Sequence, residues 1–283
     1  MDSGSGARPP KRYWSSFMVC MQADSIVVVS ARLISIPGGG FAFPANDGHL
    51  KFLSSIMDSM RSRGRPLSVL MVDYPLTPLA NFPTQFQESV SAVRYVVETC
   101  NYQPSQIILG GDSAGGNLAA SVILHCLQPS EHVLPLRVVT QKSKFKGLVL
   151  VSPWVSFDIT LASFTREPNK DYIQAESEKR WSDIYLSKGE PCIYNEPGLA
   201  PAALWKDMPV QDVLVTAGAD EALIDGITKW VEVHNTNVMY NIAQHEPHEA
   251  PIIWSAFGDQ HVTETERKVE AWLQSLFEKI PDA

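Results

Sequence analysis

The 283-residue sequence carries 23 Lys+Arg against 31 Asp+Glu, a formal net charge of −8, with 45% hydrophobic and 19% charged residues. That composition excludes an intrinsically disordered chain and argues against nucleic acid or an anionic membrane as partner, and the length suits one large α/β domain with room for an inserted cap. Cys20, Cys100, Cys126 and Cys192 show no C-x-x-C or metal-ligand spacing, and no Asn-x-Ser/Thr acceptor or apolar leader occurs; reduced, mostly buried thiols and a cytoplasmic protein without stable membrane insertion are expected.

Residues 1–24, Gly/Ser/Pro-rich at their start, predict a poorly ordered or atypical N-terminal segment. After them β-branched runs predict strands over 26–36, 67–73, 106–110, 146–151, 213–217 and 238–242. Most are continuous apolar runs of the kind buried on both faces of a parallel sheet. Helical periodicity falls between them, over 49–60, 83–100, 114–126, 222–235 and 263–277. The β-α-β-α order predicts an α/β fold, a doubly wound and mostly parallel sheet with helices on both faces. Between Ser152 and Trp205 the rhythm breaks into a polar stretch with its own amphipathic segment over 175–186 and a proline-rich end. We read 155–204 as a cap insertion that divides the core into 25–154 and 205–283.

The most informative stretch is Gly111-Asp-Ser113-Ala-Gly115, a G-x-S-x-G between a predicted strand and a predicted helix. Small residues flank a serine in this way where the turn is too tight for side chains on either side. Ser113 would then stand at the positive end of the helix, with the Ala114 N–H free to donate to an oxyanion. A phosphate-cradling loop is the plain alternative, but neither G-x-x-x-x-G-K-[ST] nor G-x-G-x-x-G is present. Upstream, the first strand ends in Pro37-Gly-Gly-Gly-Phe41, whose glycines would let backbone N–H groups converge on an anion.

A serine nucleophile on such a turn takes an acid and then a histidine from later strand ends. After the strand over 213–217 come Asp220 and Glu221, and after the last strand come His245 and His248. Either carboxylate could instead cap the following helix, and Asp225, one helical turn on, is expected to be structural.

Taken together, GGGF at 38–41, Tyr74-Pro-Leu-Thr-Pro78 and GDSAGGNLA at 111–119 resemble the hormone-sensitive-lipase-like branch of the α/β-hydrolases, particularly its fungal members. The similarity runs from Pro37 to the C-terminus through SPWVSF at 152–157 and AGADEALID at 217–225. It implies Gly39, Gly40 and Ala114 as oxyanion donors, Glu221 as the acid with Asp220 second, and His248 as the base with His245 second. It also implies Phe41 and Trp154, with Phe43 and Phe157, as walls of an apolar substrate pocket. The chain departs from the pattern at Pro37, where the family has a histidine that braces the loop, so loop geometry is the feature put at issue. Its stretch before Pro37 is also shorter than in that family, which brings two more strands and an N-terminal cap segment; a more open pocket or an incomplete chain follows.

The implied activity is hydrolysis of a small-molecule carboxylic ester through an acyl-enzyme, including deacylation of a sterol or secondary metabolite. A non-hydrolytic ligand-binding member of the fold, or an acyltransferase or cyclase using the same serine, is the alternative. His248 weighs against the ligand-binding form. No organic cofactor or metal is expected, since the chain has no H-E-x-x-H, dinucleotide fingerprint or Cys/His cluster.

Overall fold

The computed structural model describes residues 18–21, 31–137, 139–166, 169–234 and 238–278. Seven strands form one sheet: β1 (Met18–Met21), β2 (Ala31–Ile36), β3 (Leu67–Val72), β4 (Ile107–Asp112), β5 (Gly147–Val151), β6 (Val213–Gly218) and β7 (Val238–Ala243). Their order is β1-β3-β2-β4-β5-β6-β7. β1 runs antiparallel to β3, and all other pairs are parallel. β1 lies within the N-terminal segment where no strand was expected; the expectations for 26–30, for Asn235 and for most of 1–24 fall outside the described residues.

β4, β5 and β6 are buried at every position, as continuous apolar strands covered on both faces must be. β7, at the edge, is half-buried or exposed at every position but Ala243. Helices cover both faces. On one side α1 (Asp47–Ser62), α8 (Ala250–Ala256) and α9 (Glu264–Glu278) contribute Phe52, Ile56, Ile252, Trp272 and Leu273 to a core cluster. On the other, α2 (Thr84–Arg94), α3 (Ser113–Leu127) and α7 (Ile224–His234) contribute Phe86, Val90, Leu118, Ile123, Ile227 and Trp230. Each such side chain removed from water contributes roughly 1.5–3 kcal/mol before entropy is counted. α3 is buried from Ser113 to His125, which explains its nearly unbroken apolar sequence.

The helix expected over 83–100 divides into α2 and a π-helical turn over Tyr95–Thr99. Between β5 and β6, α4 (Ser163–Arg166), α5 (Ala175–Leu186) and α6 (Ala202–Trp205) replace the single crossover helix found elsewhere, with α5 where the amphipathic stretch predicts it. Cys100, Cys126 and Cys192 are unpaired and half-buried, less enclosed than expected. Among the described residues no helix is long and apolar enough to cross a membrane.

The strand order locates the site. From β2 the chain steps outward to β3, then returns past β2 to β4, so the loops leaving β2 and β4 diverge at neighbouring carboxyl ends. Open α/β sheets bind ligands in the crevice at that point of reversal.

Candidate active site

Ser113 sits where β4 turns into α3, with φ +46°, a left-handed conformation unusual for a non-glycine residue. The turn is held from both sides. A Cβ on Gly115 would collide with the Ile36 carbonyl oxygen, and one on Gly111 would collide with the Gly115 carbonyl. The Trp154 N–H donates to the Ser113 carbonyl at 2.9 Å, and the buried Asn117 amide donates to the carbonyls of Trp154 and Asn195, both at 2.8 Å. The strained serine is thus tied to the ends of β2 and β5 and to the insertion.

His248 Nε2 lies 2.9 Å from Ser113 Oγ, and both side chains are buried. On its far side, His248 Nδ1 stands 3.7 Å from Glu221 Oε2, an ion-pair distance rather than a hydrogen bond. Such contacts commonly tighten when substrate binds. Glu221 Oε2 accepts from Ser152 Oγ at 2.5 Å and from the Gly218 N–H at 3.1 Å, which fixes the carboxylate behind the imidazole. Burial by itself would depress the His248 pKa; the neighbouring Glu221 carboxylate, with the charges of Asp171 and Asp112, outweighs it and raises the pKa above its usual value.

The two secondary candidates lie elsewhere. His245 is exposed, and Asp220 pairs with Lys170 at 3.1 Å. Asp225 accepts from Ser163 N–H and Arg166, joining α7 to α4.

The loop after β2 answers the question raised by Pro37. Tyr74 Oη donates to the Pro37 carbonyl at 2.7 Å, and the Gly38 N–H donates to Asp112 Oδ2 at 2.7 Å. Asp112 is itself held by His49 Nε2 at 3.1 Å. His49 is the N3 residue of α1 and caps that helix by accepting the Asn46 N–H through Nδ1. The loop is therefore braced by Tyr74 and an Asp112–His49 pair. Burial alone would lower the His49 pKa, but Asp112 raises it; the same pairing holds Asp112 below the usual carboxylate range against burial. Glu249, next to His248, goes the other way: burial, then the nearby Asp112 charge, push its pKa well above that range.

With the Gly38 N–H engaged by Asp112, Gly39 and Gly40 follow at φ +113° and +59°, and their N–H groups have no partner among the described residues. The Ala114 N–H lies in the first turn of α3, where no earlier helical carbonyl can take it. The first turn of α3 abuts Ile36 and Pro37, so the glycine loop and the Ala114 amide border the same serine.

Phe41 and Trp154, expected beside a substrate pocket, are buried side chains. They are 0% and 1% exposed, and Phe41 stacks on Tyr185 of α5 at 3.6 Å between ring centroids and on Trp154 at 5.6 Å. Tyr185, from the insertion, covers the Phe41 ring. Phe43, 56% exposed, meets Trp181 edge-on and is the aromatic of this loop that faces solvent. Trp181 also covers Gly40, where a Cβ would stand 2.8 Å from its ring. Sequence reasoning missed Ser152, His49, Asp171 and Glu249. Only Ser152 carried a local signal, the SPW triplet closing a buried strand.

A model of the α/β-hydrolase fold matches residues 33–249. The chain belongs to the α/β-hydrolase fold family. Relatives of this hydrolase-fold chain include steryl acetyl hydrolase 1 of Saccharomyces cerevisiae, 25% identical over 68% of this chain and 45% of that protein. Arylacetamide deacetylase of Bos taurus is 29% identical over 55% of this chain and 38% of its own length. The chain thus spans about half or less of these two relatives. A crystal structure of an esterase from the bacterial hormone-sensitive lipase family shares the fold with a TM-score of 0.72 at 24% identity, covering 89% of this chain and 77% of that one.

Proposed function

We propose that this hydrolase-fold chain cleaves small-molecule carboxylic esters through an acyl-enzyme on Ser113. The observation that carries the reading is the 2.9 Å contact between Ser113 Oγ and His248 Nε2 on a strained strand-to-helix turn. His248 takes the serine proton as Oγ attacks the acyl carbon. The oxyanion receives hydrogen bonds from the Gly39, Gly40 and Ala114 N–H groups, and His248 returns the proton to the departing alcohol. Water, deprotonated by His248, then releases the acid and regenerates the serine. Glu221 holds the imidazole in its tautomer and stabilises its cation.

The names of the relatives favour a short acyl group, acetyl first, and a sterol as its alcohol; deacylation of a secondary metabolite is the second substrate class. We take the compartment as the cytoplasm, in keeping with the unpaired Cys100, Cys126 and Cys192. Hydrolysis of p-nitrophenyl esters of graded chain length by wild type and Ser113→Ala tests the reading. Wild type should be fastest on the acetate or butyrate and the variant inert. Equal rates from the two proteins would overturn it.

A further inference from the structure

The insertion between β5 and β6 sends three consecutive residues into the loops that carry the acid and the base. Lys170 Nζ pairs with Asp220 at 3.1 Å, beside the acid. Asp171 accepts the Ala222 N–H at 2.7 Å through Oδ2 and the His248 N–H at 3.3 Å through Oδ1. Tyr172 tilts its ring toward the His248 imidazole, 5.9 Å between centroids, and its hydroxyl reaches Glu249 Oε2 at 3.4 Å. One carboxylate therefore bridges the residue after Glu221 and the backbone of His248, two segments that share no helix or strand.

We propose that Asp171 is a positioning residue: its two carboxylate oxygens clamp the acid turn and the base loop together and set the Glu221–His248–Ser113 geometry from within the insertion. The 3.7 Å gap between His248 Nδ1 and Glu221 Oε2 is the distance this clamp governs, because, besides the neighbouring Tyr172 N–H, Asp171 accepts the amide of the residue after Glu221 and the amide of His248 itself. Backbone N–H groups at the mouth of a site need acceptors, and a carboxylate supplies two with charge assistance. The same anion acts on the imidazole electrostatically. His248 faces Glu221 from the β6–α7 turn, Asp112 from β4, Asp171 and Tyr172 from the insertion and Glu249 from its own loop. Removing the Asp171 charge takes away one of the anions that favour the protonated ring.

The proposal rests on the hydrolase reading, and its test separates the two. Steady-state hydrolysis of p-nitrophenyl acetate is measured across pH for wild type, Asp171→Asn, Asp171→Ala and, as a control on the same insertion, Lys179→Ala, whose ammonium pairs with Asp183 on the exposed side of α5. Asp171→Ala should lose roughly 10²-fold in kcat with KM within a few-fold, as misplacement of a catalytic pair by about 1 Å does. Asp171→Asn, nearly isosteric and keeping one acceptor, should fall between it and wild type, and its acid limb of kcat/KM should move to lower pH. Lys179→Ala should match wild type. If Asp171→Ala fails to fold, Asp171→Asn carries the same two readouts. An active wild type whose kcat and acid limb are both indifferent to Asp171→Asn would overturn the clamp and leave the hydrolase reading standing. A wild type inert to the ester and to a fluorophosphonate probe would overturn the hydrolase reading itself.

Discussion

Two segments converge on His248 and are specified in opposite ways. The turn between β4 and α3 is local: Gly111, Ser113 and Gly115 sit within five consecutive residues, and sterics alone dictate which side chains fit. The 170–172 segment of the insertion is non-local: Asp171 contacts Ala222 and His248, 51 and 77 residues away, with no pattern of its own. The first kind of constraint leaves a readable motif, and the second leaves an ordinary acidic residue in a polar stretch. The proposed mechanism requires both, because Ser113 can lose its proton to His248 only if the histidine is held beside it.

The largest effect is expected at Glu221. Glu221→Gln, which keeps shape but misorients the imidazole, should cost roughly 10⁴-fold in kcat. Asp220→Asn should stay within a few-fold, since Asp220 meets Lys170 rather than the imidazole. Near-normal turnover by Glu221→Gln in the p-nitrophenyl assay would reject the acid assignment. Gly115→Ala probes the local turn: a methyl group there meets the Ile36 carbonyl, so a stability loss above about 4 kcal/mol is expected in denaturant unfolding. A tolerated alanine would mean that the turn is not sterically set.

The two aromatics of the glycine loop differ in burial and so in expected effect. Phe41→Ala should cost about 3–5 kcal/mol in unfolding free energy, because its ring is fully buried against Tyr185 and Trp154. Phe43→Ala, mostly exposed, should stay within about 0.5 kcal/mol.

The smallest effect is in pH. His248 must be neutral to accept the serine proton, and its pKa is raised, so kcat/KM should be full above that pKa and fall as pH drops through it. The acid limb should therefore sit above the ordinary histidine value of about 6.5. A limb below it would contradict the electrostatics described for His248.

The strands were legible because β4, β5 and β6 are covered on both faces and so are apolar without interruption. β1 was not, since four residues at a sheet edge carry no periodicity that distinguishes them from a tail. The G-x-S-x-G turn was legible for the steric reason already given, and α5 because its amphipathic face repeats at helical spacing. The burial of Phe41 and Trp154 was not legible, because an aromatic beside a glycine loop looks the same whether or not a distant helix covers it; here Tyr185 stacks on Phe41. The bracing of the Pro37 loop was hidden likewise. His49 reads as a helix-capping residue, and its contact with Asp112, 63 residues away, exists only in three dimensions.

The proposed mechanism requires Ser113 to be an activated nucleophile. The most direct measurement is mass-spectrometric mapping of the protein after reaction with a fluorophosphonate probe, with Ser113→Ala in parallel. One adduct on the peptide containing Ser113, absent from the variant, is the expected result. No adduct on the folded wild type, or the same adduct on the variant, would contradict it.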